Sequence, residues 1–206
     1  MRSSVLARYR RAGSPLRLAT QLSFVTLLSL AVVGCGGSAP ATFDLSAASG
    51  ARGKAGRGQL VIAEPTAISP LESDRIVVRT SPEQVAFLTG AQWSDRLPRL
   101  LQSRLVQSFE NGKLLRSVGR SGDRIVADYT LTSELRHFEI DVTTSQAVVE
   151  ISAKLVNEKS GRISAARIFT AQVPASASDG ARASTALDQA VGQVMREMVG
   201  WASTAM

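Results

Sequence analysis

ELRHFEIDVTTSQAVVEISAKLVNEKSGRI, residues Glu134–Ile163, carries two alternating segments joined by short polar connections. In Glu134–Thr143, Phe138, Ile140 and Val142 alternate with His137, Glu139 and Asp141. In Ala147–Asn157, Val149, Ile151, Ala153 and Leu155 alternate with Glu150, Ser152 and Lys154. A period of two places one set on a buried sheet face and the other towards water. Glu158-Lys159-Ser160-Gly161 reads as a tight turn, and Ile163–Val173 returns as the next strand. A further strand, Ile125–Thr132, leads into this unit from Gly119–Gly122.

Upstream, LVIAEPTAI (Leu60–Ile68) is a short apolar run closed by Pro70, a strand. Arg75–Thr80 and Gln84–Thr89 flank Ser81-Pro82-Glu83 and read as a hairpin. The period then changes: Trp93, Leu97, Leu100, Leu101, Leu105 and Phe109 recur at three- and four-residue steps, an amphipathic helix ended by Asn111–Gly112. Pro98 must lie in its first turn, because deeper in a helix it would remove a hydrogen bond and clash. Downstream, Ala186–Trp201 forms a second helix with Leu187, Val191, Val194, Met195, Met198 and Trp201 on one stripe. The order β-ββ-α-β-β-β-α predicts an α+β fold, a two-layer sandwich of a mostly antiparallel sheet with two amphipathic helices.

The chain of 206 residues has a net charge of +7, yet the basic excess sits in a leader. Residues 1–34 contain Arg2, Arg8, Arg10, Arg11 and Arg17 and no acid, so 19 of the 24 Lys+Arg face 17 Asp+Glu in the remainder. A near-balanced remainder excludes nucleic-acid binding as the reading of the charge. Leu22–Val33 (LSFVTLLSLAVV) is apolar but shorter than the ~20 residues a spanning helix needs. A basic start, an apolar run and a small-residue exit make 1–34 an export signal. Val32-Val33-Gly34-Cys35, which holds the only cysteine, resembles the lipobox of bacterial lipoproteins. The resemblance implies a thioether-linked diacylglycerol on Cys35, cleavage before it and acylation of the new amine by a palmitate-type chain. Gly36 after Cys35 resembles the sorting pattern of outer-membrane lipoproteins.

The expected domains are the signal peptide 1–34, lipidated Cys35 with a flexible tether to residue 58, and a folded domain 59–206. GGSAPATFDLSAASGARGKAGRG (Gly36–Gly58) is too poor in apolar side chains to offset its ordering entropy, apart from Thr42-Phe43-Asp44-Leu45. Fully extended, that tether would reach ~80 Å. Groups for catalysis are scarce. His137 is the only histidine and sits on a polar strand face with Glu139 and Asp141, a row that reads as a solvated face rather than a metal site. GARGKAGRG (Gly50–Gly58) lacks the spacing of a phosphate-binding loop. Met195, Met198 and Trp201 read as core rather than a lipid groove. No catalytic residue, metal ligand or cofactor is assigned.

The landmarks SDRIVVR (Ser73–Arg79), WSDRLPRLLQSRL (Trp93–Leu105), ELRHFEIDV (Glu134–Val142), AVVEISAKLVNEKSGRI (Ala147–Ile163) and the closing helix from Ala186 together resemble the ABC-type transport auxiliary lipoproteins. Thr42–Leu45 is similar to the aromatic-x-Leu element of such proteins. The resemblance implies a periplasm-facing, membrane-anchored lipoprotein without enzymatic activity. Its implied partners are an MCE-domain protein and an ABC permease with its ATPase, moving phospholipid or other hydrophobic cargo between membranes. A homo-oligomer stays open. The alternative is an envelope adaptor or assembly lipoprotein with no transport role.

Overall fold

The structure is a computed structural model, and it describes residues 39–177 and 179–206. Cys35 and the leader lie outside the described residues. The strands are β1 (Ala41–Phe43), β2 (Gln59–Ile62), β3 (Thr66–Ala67), β4 (Arg75–Ser81), β5 (Gln84–Trp93), β6 (Ser117–Arg120), β7 (Tyr129–Asp141), β8 (Gln146–Asn157) and β9 (Arg162–Pro174). The helices are α1 (Leu97–Gly112) and α2 (Gly180–Ala205).

Among the described residues, all nine strands form one mixed sheet backed by the two helices, the α+β sandwich that the pattern predicts. Its spine is β7. One edge of β7 carries β8 along nearly its whole length, antiparallel, and β8 carries β9 in the same sense. The other edge is shared end to end by three shorter parallel partners: β2 beside Leu60↔Tyr129, β3 beside Thr66↔Glu134, and β4 beside Val77↔Glu139. Beyond β2 lies β6, and beyond β4 lie β5 and then β1.

Three local readings change. Ile125–Thr132 and Glu134–Thr143 are not two strands: one strand begins at Tyr129, with an irregularity between Leu135 and His137 that resets the alternation. Leu60–Ile68 divides into β2 and β3 around Pro65, which has no N–H to give to β7. Trp93 ends β5 instead of starting the helix, and its ring meets Phe138 edge-on at 5.8 Å. Pro98 does occupy the first turn of α1. Helix α2 begins six residues earlier than its apolar stripe suggests, because Asp179 caps it by accepting from the Ala181 and Arg182 N–H groups.

The sheet has a covered and an open face. Leu131, Leu135, Phe138 and Ile140 of β7 and Ala147, Val149, Ile151, Ala153 and Leu155 of β8 are buried. Against them pack Leu97, Leu101, Leu105 and Phe109 of α1 and Leu187, Val191, Val194, Met195 and Met198 of α2. Trp201 is half-buried and packs edge-on against Phe169 at 5.4 Å. Burial of side chains of this size stabilises the fold by roughly 1.5–3 kcal/mol each.

The largest correction concerns the tether. Residues 41–58 are part of the fold. β1 pairs in parallel with β5 through Ala41↔Ala91 and Phe43↔Trp93, and Leu45 and Ala48 are buried. Composition alone misjudges this segment because its small residues do not need to bury much surface of their own. They fit a groove that two helices already provide.

Candidate functional site

The groove between α1 and α2 is the most constructed feature of the described residues. Segment 44–58 lies in it as a strap. Asp44 pairs with the Arg104 guanidinium of α1. The Ala48 N–H donates to Ser108 Oγ at 2.8 Å, and Ser108 in turn donates to the Arg104 carbonyl at 2.6 Å. Asn111 Nδ2 donates to the Ala48 carbonyl. On the α2 side, the Ser46 N–H donates to Asp188 Oδ1 at 2.6 Å. Farther on, the Gly56 N–H donates to the Leu114 carbonyl at 2.7 Å, where α1 has just ended.

Small residues make the fit possible. A Cβ at Gly200 would stand 2.3 Å from the Arg52 carbonyl oxygen, and one at Gly53 would stand 2.5 Å from Ser203 Oγ. Gly112 does the same between the helices, where a Cβ would meet Val199 at 2.8 Å. Burial raises the Asp44 pKa, but the bonds from Arg104 and from the Leu45 N–H outweigh it and hold the carboxyl below its usual range.

On the open face, the row His137, Glu139 and Asp141 does not behave as a solvated set. Glu139 is 4% exposed. It accepts from Arg79 Nε at 2.6 Å and Nη2 at 3.2 Å, a two-pronged pair reaching over from β4. His137 Nδ1 lies 3.0 Å from the same carboxylate. The Glu139 bond also raises the Arg79 pKa, against the opposing effect of burial. Asp141 is spent locally: its Oδ1 accepts from the Thr143 N–H and hydroxyl and closes the β7–β8 turn. These bonds, led by the Thr143 hydroxyl, lower its pKa. The three residues therefore serve an ion pair and a turn, and among the described residues no group of His, Cys, Asp and Glu converges as a metal site.

The clefts among the described residues are open to solvent. One beside β3 is lined by Glu64, Thr66, Thr132, Glu134, Ser152 and Lys154. Another runs between the strap and α2, beside Ser46, Ser49, Asp188, Gln193 and Arg196. Among the described residues no helix is long and apolar enough to cross a membrane. Sequence reasoning missed the strap contacts and the Arg79–Glu139 pair. The acid inside Phe43-Asp44-Leu45 was a signal for the first. The second joins residues 60 positions apart, and local pattern cannot show it.

The family model described as "ABC-type transport auxiliary lipoprotein component" matches residues 43–199. An uncharacterised protein of Bradyrhizobium diazoefficiens is 35% identical over 176 residues, covering 81% of this chain and 46% of its own length. The chain thus spans about half of that relative. A crystal structure of a Xanthomonas campestris protein assigned to DUF330 superposes with a TM-score of 0.71 at 30% identity, covering 79% of this chain and 93% of its own. A crystal structure of a second uncharacterised protein, at 16% identity, shares the fold with a TM-score of 0.61, covering 79% of this chain and 97% of its own.

Proposed function

Because the chain belongs to the ABC-type transport auxiliary lipoprotein family, we propose that it is the anchored docking subunit of an MCE-type system moving phospholipid or a related hydrophobic cargo between membranes. The observation that carries this reading is the extent of the family match, which runs from β1 through the sheet and into α2. The family is a lipoprotein component of the cell envelope associated with ABC transport; the MCE partner, the cargo and the membrane are the proposed refinements. Cys35 is the proposed acceptor of the lipid, supported by its place after an apolar run and Gly34. Gly36 supports the outer membrane as the site of anchoring, with the domain facing the periplasm.

The proposed role is non-catalytic. Asp141 is committed to a turn, and among the described residues the hydrogen-bond partner of His137 is the ion-paired Glu139 rather than a nucleophile that it could activate. Energy then comes from the partner ATPase. The strap changes the mechanics of docking: folding residues 41–58 into the body removes roughly 60 Å of the reach a free tether would give. Docking in this reading depends on a rigid body close to its leash, not on a long search.

The test is affinity purification of the detergent-solubilised chain beside Cys35→Ser, with mass spectrometry of proteins, lipids and intact mass. Acylated Cys35 together with MCE and ABC subunits is the expected result. An unmodified Cys35 removes the anchor, and an acylated chain that brings only other envelope proteins replaces transport with the adaptor role.

A further inference from the structure

Among the described residues the sheet has four open edges of unequal length, the two-residue β3 being the shortest. β1 offers three residues and β6 offers four, short edges of the kind that discourage intermolecular pairing. β9 offers 13 residues, pairs only with β8, and is mostly exposed. Its register with β8 is regular from Ala165↔Leu155 to Pro174↔Gln146, with one irregularity near Ile163. Between Ala165 and Val173 it has no proline, no acidic residue and no bulge, and Arg167 is its one charge, so the devices that blunt an edge are confined to its ends apart from that arginine. The strand is also fixed to the core from one side, where Phe169 and Ala171 are buried against the helices.

Its side chains sort by face. Residues opposite one another in a ladder share a face. Ile163 lies opposite Val156 and Ile168 opposite Ser152, on the open side, and both isoleucines are more than half exposed. Arg162 lies opposite Asn157 and Arg167 opposite buried Ala153, on the helix side. Arg167 rests over the Phe169 ring at 4.8 Å and reaches Glu197 of α2 at 3.3 Å. The edge thus presents two exposed isoleucines on one side and two arginines on the other, of which Arg167 already meets Glu197.

We propose that the β9 edge receives, by strand addition, an extended segment of another protein in which apolar and acidic residues alternate. Main-chain hydrogen bonds supply the affinity, and the two sides fix which face of the segment goes where. The apolar side chains lie beside Ile168 and Ile163, and the carboxylates lie beside Arg167 and Arg162. A second copy of the chain fits less well, since neither β9 strand carries a carboxylate to meet the arginines of the other.

The test uses the whole chain in detergent with two synthetic eight-residue peptides, one alternating Val and Glu and one alternating Val and Lys, and reads amide hydrogen exchange. The Val-Glu peptide is expected to slow exchange between Ala165 and Val173 and to leave β1 and β6 unchanged. Its preference over the Val-Lys peptide should be about fivefold for each arginine engaged. Arg167→Glu should reduce or reverse that preference, and circular dichroism verifies that the variant is folded. No protection of β9, or equal protection by both peptides, overturns the proposal. Protection that grows with protein concentration in the absence of peptide also overturns it, in favour of pairing between copies.

Discussion

Glu139 shows how one carboxylate can be costly to remove and cheap to replace. It is buried, and Arg79 supplies two hydrogen bonds that compensate for lost water. Arg79→Ala leaves that charge without its partner, and urea unfolding should show a loss of about 3 kcal/mol. Replacing both together, Arg79→Met with Glu139→Leu, should recover most of it, since a packed apolar pair removes the desolvation problem. Asp44 makes a pH-dependent contribution. Its folded-state pKa is depressed, so the strap is stabilised above the ordinary carboxylate pKa of ~3.9 and loses that contribution as pH falls through the lower folded value. The protection of residues 41–58, taken against the intrinsic exchange rate at each pH, should therefore fall on acidification in the native chain. Asp44→Asn should show low protection already at pH 7 and little further change.

At the scale of elements, the strap is held by closeness more than by large side chains. Gly200→Ala keeps α2 a good helix former but drives a methyl into the Arg52 carbonyl, a backbone atom that cannot rotate aside. The expected cost is about 1–3 kcal/mol, read as faster exchange in residues 50–58 with unchanged helical dichroism. Elements with their own period were legible in the sequence: β8, β9, the β4–β5 hairpin and both helices. Those whose formation depends on a partner were not. β6 has Val118 as its only large apolar residue and exists because β2 lies beside it. β1 and the strap exist because α1, α2 and β5 leave a place for them. The joining of two expected strands into β7 escaped for a related reason: the register runs straight through Ser133, a polar residue that the packing buries in line with Leu131 and Leu135, so a position that reads as a break is part of the covered face. For the site, the sequence singled out Glu139 but not its burial, which comes from β4.

For the molecule as a whole, the boundary of the folded body moves from residue 59 to about residue 39. A chain trimmed to 59–206 loses the burial of Leu45 and the bonds from Ser46 and Ala48, and uncovers the groove above Met195 and Ser108. Its stability should fall by several kcal/mol relative to 39–206, at about 2–5 kcal/mol for a vacated leucine site alone. Thermal unfolding of the two chains compares them directly, and equal melting temperatures would return the strap to the status of a tether. The order in which the strap contacts occur along the chain has a mechanical meaning as well. Tension entering from the N-terminal side meets the three-residue β1 first, then Asp44, Leu45 and Ala48, then the glycine-rich crossing to Gly56. Load is therefore met in series, by weak attachments that let go in turn, and the long ladders of β7, β8 and β9 are shielded from it until the strap has been paid out.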